Sequence, residues 1–183
     1  MKALRLILVT AIAFCPAAYA TETFKIDPAH STIAFKVRHM LGSAKGKFSK
    51  FTGTIVVDRE HPEQSSVTVK ISASSIDTGI AKRDEHLRGE LFEVAKYPEI
   101  TFKSRRVKQT SANGGQIVGD LTMHGVTREI ALNVELVSNP SSRWRVSTAP
   151  LRRSEFGLVF SKSAETVSMI ADEVSVEIEI EAK

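Results

Sequence analysis

Cysteine is almost missing from this chain: the one thiol among 183 residues is Cys15. An intramolecular disulfide is therefore excluded, and the folded part must be held by its core alone, which a chain of this length can manage. Long apolar runs are missing too. Leu6 to Phe14 is the most apolar stretch, about half the ~20 residues that a spanning helix needs. Charge of one sign is scarce: 25 basic against 21 acidic residues give +4, and without Lys2 and Arg5 the balance is 23 against 21, or +2. That excludes nucleic acid as an expected partner. Basic residues do gather at Arg143, Arg145, Arg152 and Arg153, and at Lys103, Arg105, Arg106 and Lys108. Such clusters read either as solvated strand faces or as an anion-binding patch.

Metal and hydrolase signatures are also absent. His30, His39, His61, His86 and His124 form neither H-x-x-x-H nor H-E-x-x-H, so no metal site is expected. There is no G-x-S-x-G elbow. Asp84 and His86, two apart on a helix, do not face each other. A hydrolase combining Asp84 with His86 or His39 and a serine such as Ser31 or Ser104 thus has little in its favour, and the protein is not expected to be an enzyme.

What is present begins with a targeting segment. Lys2 and Arg5, the short apolar run and Ala18-Tyr19-Ala20 match a cleaved secretory signal. Cys15 would suit a lipoprotein signal, but the bulky Phe14 precedes it. Residues 1–20 are expected to be removed, leaving 21–183 as one secreted domain with no integral membrane segment.

From Thr23 onward the chain alternates. Ile33, Phe35, Val37 and His39 share one face of a strand; Val67, Val69 and Ile71 do the same, as do Ile100 and Phe102. Ile117, Leu121 and Met123 follow, then Ile130 to Leu136, Trp144 and Val146, and Val174 to Ile180. This period of two is that of half-buried strands. Gly42 to Gly46 reads as a small-residue loop, Asn113-Gly114-Gly115 as a hairpin, Asn139 to Ser142 as a break, and Val159 to Glu165 as irregular. About eight strands result, with no linker or repeat, so an all-β antiparallel domain is expected. The last strand either closes the sheet or lies at an edge, where it would pair with a second subunit in a homodimer.

One stretch departs from this pattern. Ile80, Leu87 and Leu91 recur at helical spacing, so a short helix is expected around residues 79–92, capped by Asp77 or Thr78. Arg83 and Asp84 would share its apolar face. A buried charge must be paired or face a ligand.

One apolar face per strand fits a sandwich or a closed barrel equally. Large inner residues (Phe35, Phe102, Leu121, Met123, Trp144), interrupted by the polar His39 and Ser104, fit either a packed core or a lined cavity.

Several segments carry a resemblance. They are Ile26-Asp27-Pro28-Ala29-His30-Ser31, Phe35-Lys36-Val37-Arg38-His39, Gly46 to Gly53, and Ser75-Ile76-Asp77-Thr78. Arg83-Asp84-Glu85-His86-Leu87, Tyr97 to Ser104, Gly119 to Thr127 and Arg153 to Gly157 continue it. In this order they resemble the YceI-like family of bacterial secreted proteins, from Phe24 to Glu181. The resemblance implies a lipocalin-like antiparallel β-barrel in the periplasm, holding a long isoprenoid-type lipid such as a polyprenyl chain or quinone, or another long-chain lipid. No cofactor beyond that ligand is implied. The expected lining is Phe35, Val37, Leu87, Phe102, Leu121, Met123 and Trp144, with His39, Arg83, Asp84 and Arg153 near the polar end of the ligand. Two readings compete. In one, Arg83 and Asp84 only hold the helix in place; in the other, an arginine-rich outer face (Arg143, Arg145) binds a protein partner in an envelope stress or adhesion role.

Overall fold

The structure, a computed structural model, describes residues 21–138, 142–160 and 169–183. The expected signal segment, residues 139–141 of the expected break and residues 161–165 of the irregular stretch lie outside the described residues.

Among the described residues, twelve strands make one antiparallel sheet. They are β1 (Glu22–Lys25), β2 (Thr32–His39), β3 (Gly42–Phe48), β4 (Phe51–Val57), β5 (Ser66–Ser72) and β6 (Ile76–Asp77). β7 (Glu99–Ser111), β8 (Gly114–Met123), β9 (Val126–Ser138), β10 (Arg143–Thr148), β11 (Leu151–Arg152) and β12 (Glu173–Glu181) complete it. Its path runs β1-β4-β5-β7-β8-β9-β10-β12-β2-β3-β6, with β11 on β12. The sheet curls until its first strand meets the chain that follows β12. Lys25 and Lys183 exchange backbone hydrogen bonds of 2.7 and 3.0 Å, and Ile26 bridges Ala182. The result is a lipocalin-like barrel. β7 and β9, at 13 residues each, extend about 40 Å at ~3.3 Å per residue.

Nine strands have six residues or more. The one that alternation undercounted is β3, where the glycine-rich run reads as loop. It is strand because small residues are needed there: a Cβ on Gly46 would meet the Phe35 ring and the Thr78 methyl. The hairpin expected at Asn113-Gly114-Gly115 turns at Ala112-Asn113, with Gly114 already in β8. β12 pairs with β10 and β11 on one side and with β2 on the other. It is an interior strand, so of the two readings of the last strand the one in which it closes the sheet holds.

The helical segment is shorter and less regular than its spacing suggests. Helix α1 spans Ala81–His86 and runs into a π-turn over Leu87–Leu91, where the Phe92 N–H donates to the Leu87 carbonyl at 2.8 Å. This turn buries Leu87, Leu91 and Phe92 together. Ile80 is not on the helix face: its backbone is extended and its side chain is 52% exposed. The expected cap also runs the other way. Thr78 donates to Asp84 through both its N–H (2.9 Å) and its hydroxyl, while Asp77 accepts from the Gly79 N–H.

Two apolar clusters form the solid parts of the interior. One joins Ile76, Leu87, Leu91 and Phe92 to Ile100, Phe102, Leu121 and Phe156 at the helix end. The other joins Ile26, Ile33 and Phe51 to Ile180 and Ala182.

Candidate functional site

The strand faces that alternate inward do not fill the interior. They enclose a cavity of about 770 Å³, within the ~300–1,000 Å³ of pockets that take small-molecule ligands. Its walls are the inner rows of the strands: Phe102, Ile117, Leu121, Leu132, Val176 and Ile178 among them. The lining reaches Val57, Pro62, Gln109 and Asn113 at the hairpin end of the barrel, and His39, Thr78, Arg83 and Arg153 at the helix end. Every strand except β1 contributes, and in the longer ones the apolar residues fall on alternate positions, so one backbone path presents one continuous apolar face.

Ten of the eleven residues singled out from sequence border this space: Phe35, Val37, His39, Arg83, Leu87, Phe102, Leu121, Met123, Trp144 and Arg153. Asp84 does not. It is 5% exposed and its Oδ1 takes both donors of Thr78. Arg83 is the neighbour on the same threonine, donating from Nε to the Thr78 hydroxyl (2.8 Å) and from Nη2 to the Thr78 carbonyl (3.0 Å). The pair therefore anchors the loop before α1, while Arg83 also borders the cavity.

Arg153, only 7% exposed, spreads its guanidinium over backbone carbonyls: Nη1 to Leu158 (2.8 Å), Nε to Ala171 (3.2 Å) and Nη2 to Ile170 (3.4 Å). The Phe160 ring lies 5.1 Å from the guanidinium carbon. These bonds stitch the β11 region to the start of β12. His39 differs from both arginines. Its half-buried ring makes no hydrogen bond or ion pair among the described residues, and it borders the cavity one residue before the β2–β3 turn. Ser104, read as an inner polar residue, is absent from the lining. A bulge follows it, and its hydroxyl accepts from the Val67 N–H at 2.9 Å.

Sequence reasoning passed over part of the wall. The rows Ile130 to Leu136 on β9 and Val174 to Ile180 on β12 border the cavity, and their alternation was a sufficient signal. Pro62, Ser65 and Ile170 border it from irregular segments that no periodicity marks. Asp84 and His86 turn to different partners, Asp84 to Thr78 and His86 to Glu90 at 3.1 Å. Among the described residues no three His, Asp or Glu side chains converge as a metal site would need.

A curled antiparallel barrel around an apolar cavity defines a lipocalin-like fold. The YceI-like domain profile matches residues 24–182, and this chain belongs to the YceI-like family. Among curated proteins, a UPF0312 protein of Yersinia pestis (strain Pestoides F) is 36% identical over 138 residues, 73% of this chain and 71% of the relative. A UPF0312 protein of Vibrio parahaemolyticus is 35% identical over 149 residues, 77% and 79% of the two chains. Among solved structures, Burkholderia cenocepacia BcnA superposes with a TM-score of 0.78 at 25% identity, over 86% of this chain and 99% of that one. A polyisoprenoid-binding domain from Saccharophagus degradans shares the fold at 21% identity, with a TM-score of 0.64 over 87% and 97% of the two chains.

Proposed function

We propose that this protein is a periplasmic carrier that holds a long isoprenoid-type lipid, a polyprenyl chain or an isoprenoid quinone, inside the barrel. The observation that carries the reading is the 770 Å³ cavity, walled by alternating Val, Ile, Leu and Phe and polar mainly at its ends. A polyprenyl chain has no stable place in water, and each buried CH₂ contributes about 0.8 kcal/mol. A wall of flexible apolar side chains accepts branched chains without demanding one geometry.

At the helix end, His39 and the Nη1 of Arg83, which makes no hydrogen bond among the described residues, are suited to a quinone carbonyl or a phosphate. Such groups would fix which end of the lipid enters first. An arginine-rich protein-binding face is less favoured. Arg143 and Arg145 are each already paired, with Glu181 at 2.6 Å and Glu179 at 3.7 Å. A hydrolytic role is less favoured too, since Asp84 is committed to Thr78.

The test is native mass spectrometry of the protein expressed with its own N-terminal segment and purified without detergent, followed by solvent extraction. The expected result is a chain beginning at Thr21, carrying a stoichiometric adduct that extracts as a prenyl lipid. A clean apo mass that takes up no lipid on later exposure would overturn the carrier reading.

A further inference from the structure

We propose that the tip of the β2–β3 hairpin is a docking surface for an anionic lipid bilayer. Two-residue hairpin turns favour Gly, Asn and Asp. This tip instead carries Met40 and Leu41, 60% and 87% exposed. The apolar character continues around them. The Ala171 N–H donates to the Arg38 carbonyl at 2.9 Å, which brings the exposed Met169 close to the tip. β6 pairs with β3 at Asp77 and Lys47 and runs from there toward the tip, past Thr78 beside Gly46, to the exposed Ile80. Six large apolar side chains stand exposed among the described residues. Met40, Leu41 and Met169 are tied to this tip, Ile80 lies beside the neighbouring arm, Val159 follows Gly157 beside the His124 turn, and Val137 is at the other end of the barrel. A gathered exposed apolar patch marks an interaction surface, whereas scattered single residues do not.

The charges beside the patch select its partner. On the outer face of the hairpin stand Lys36 and Arg38 from β2 and Lys45 and Lys47 from β3, with Lys36 directly opposite Lys45. Like charges in that register are destabilising. None of the four makes an ion pair among the described residues. Elsewhere on the barrel most outward arginines are neutralised: Arg105 by Asp120, Arg106 by Glu129, Arg143 by Glu181 and Arg152 by Asp172. Arg128, by contrast, meets only the Glu155 carbonyl, and Lys103 and Lys108 make no ion pair among the described residues. The carboxylates nearest in register are Asp77, opposite Lys47 with its Oδ1 taken by the Gly79 N–H, and Glu173 and Glu177 on the adjoining β12.

A convex apolar tip with a basic collar is the composition of an interfacial anchor, its apolar side chains entering the headgroup boundary and its cations meeting anionic lipid. The cavity lining reaches His39, the residue before Met40. Docking would thus bring the polar end of the cavity to the membrane. The proposal takes its purpose from the carrier reading but is tested without cargo.

The test is co-sedimentation of the purified protein with vesicles of phosphatidylcholine alone, or of phosphatidylcholine with phosphatidylglycerol, at two salt concentrations. The protein is expected to sediment with the anionic vesicles, to stay in solution with the neutral ones, and to be released by salt. The pairs M40S/L41S and K36E/K45E each lower binding by about tenfold or more, while R145E, distant from the tip, leaves it unchanged. Circular dichroism checks that each variant is folded. Binding that is equal for neutral and anionic vesicles, absent from both, or undiminished in the two tip variants overturns the proposal. So does a wild-type dimer that M40S/L41S splits while no vesicles are bound, since a second copy would then cover the tip. Lipid found in the cavity bears on none of these outcomes, so docking and carrier readings fail separately.

Discussion

Thr78 and Asp84 are locked together: the backbone N–H and the hydroxyl of the threonine both donate to one carboxylate oxygen. This pair of hydrogen bonds to a buried acid fixes the loop that leads into α1 and therefore the wall formed by Leu87 and Leu91. Removing the acid leaves two donors unsatisfied where water has little access. An unmade buried hydrogen bond costs ~1–3 kcal/mol, so Asp84→Ala should destabilise the protein by about 2–4 kcal/mol, and Asp84→Asn, which keeps an acceptor, by less. Urea unfolding monitored by circular dichroism reads both. Equal loss in the two variants would show that the charge itself, and not the acceptor, matters.

Arg153 should behave as a structural residue. Its guanidinium reaches three backbone carbonyls on two segments, a span that an ammonium group cannot reproduce. Arg153→Lys is expected to cost about 2–3 kcal/mol in the same unfolding assay, with lipid stoichiometry unchanged in the fraction that stays folded. Lipid loss from an undiminished fold would place Arg153 at the ligand instead.

His39 is the residue expected to read the ligand's polar end. His39→Ala should weaken retention of a headgroup-bearing prenyl lipid more than that of a plain hydrocarbon of equal length, measured by competition and extraction. Leu121→Arg places a cation in the apolar wall and should remove both. Equal loss of the two ligands in His39→Ala would sink the headgroup role.

Gly119 is a packing constraint on the wall. A Cβ there would lie 2.5 Å from the Lys103 carbonyl oxygen and 2.7 Å from the Phe102 ring, beside the bulge after Ser104. The backbone atom cannot swing aside as a side chain can. Gly119→Ala should therefore cost about 1–3 kcal/mol by overpacking and lower the thermal midpoint. An unchanged midpoint would mean the bulge relaxes freely.

Acid should loosen the junction of the two chain ends. Lys183 and His30, with the Ala29 N–H, hold the Asp27 carboxyl down from 3.8 to about 2. Because the folded value is the lower one, the stability from this group is present above the unfolded value near 3.8 and is lost as pH falls toward 2. Unfolding midpoints followed between pH 5 and pH 2 should fall across that window, and Asp27→Asn should remove this part of the slope. An identical slope in the variant would assign the acid limb to other carboxyls.

The local arithmetic of the strands is legible in the sequence. The rows Ile33 to His39, Ile117 to Met123 and Val174 to Ile180 face inward because the side-chain period of a strand is two and depends only on neighbours in sequence. Together with the family resemblance, that period placed ten of the eleven chosen residues on the cavity wall. It failed where a residue's use depends on a distant partner. Asp84 left the wall for Thr78, Ser104 turned to the Val67 amide, and Gly42–Phe48 became strand because Phe35 lies over Gly46.

The sequence by itself determined an all-β chain with one apolar face per strand and no disulfide, since these follow from composition and period. Only the tertiary structure decided that the sheet curls until Lys25 meets Lys183, that its inner faces leave a cavity, and that β12 is interior. It also decided which cations stay unpaired: Arg143 finds Glu181, while Lys36 faces Lys45. Register between strands far apart in the chain sets each of these outcomes. A shift of one residue in that register would reverse every side chain's face, and no local pattern fixes it.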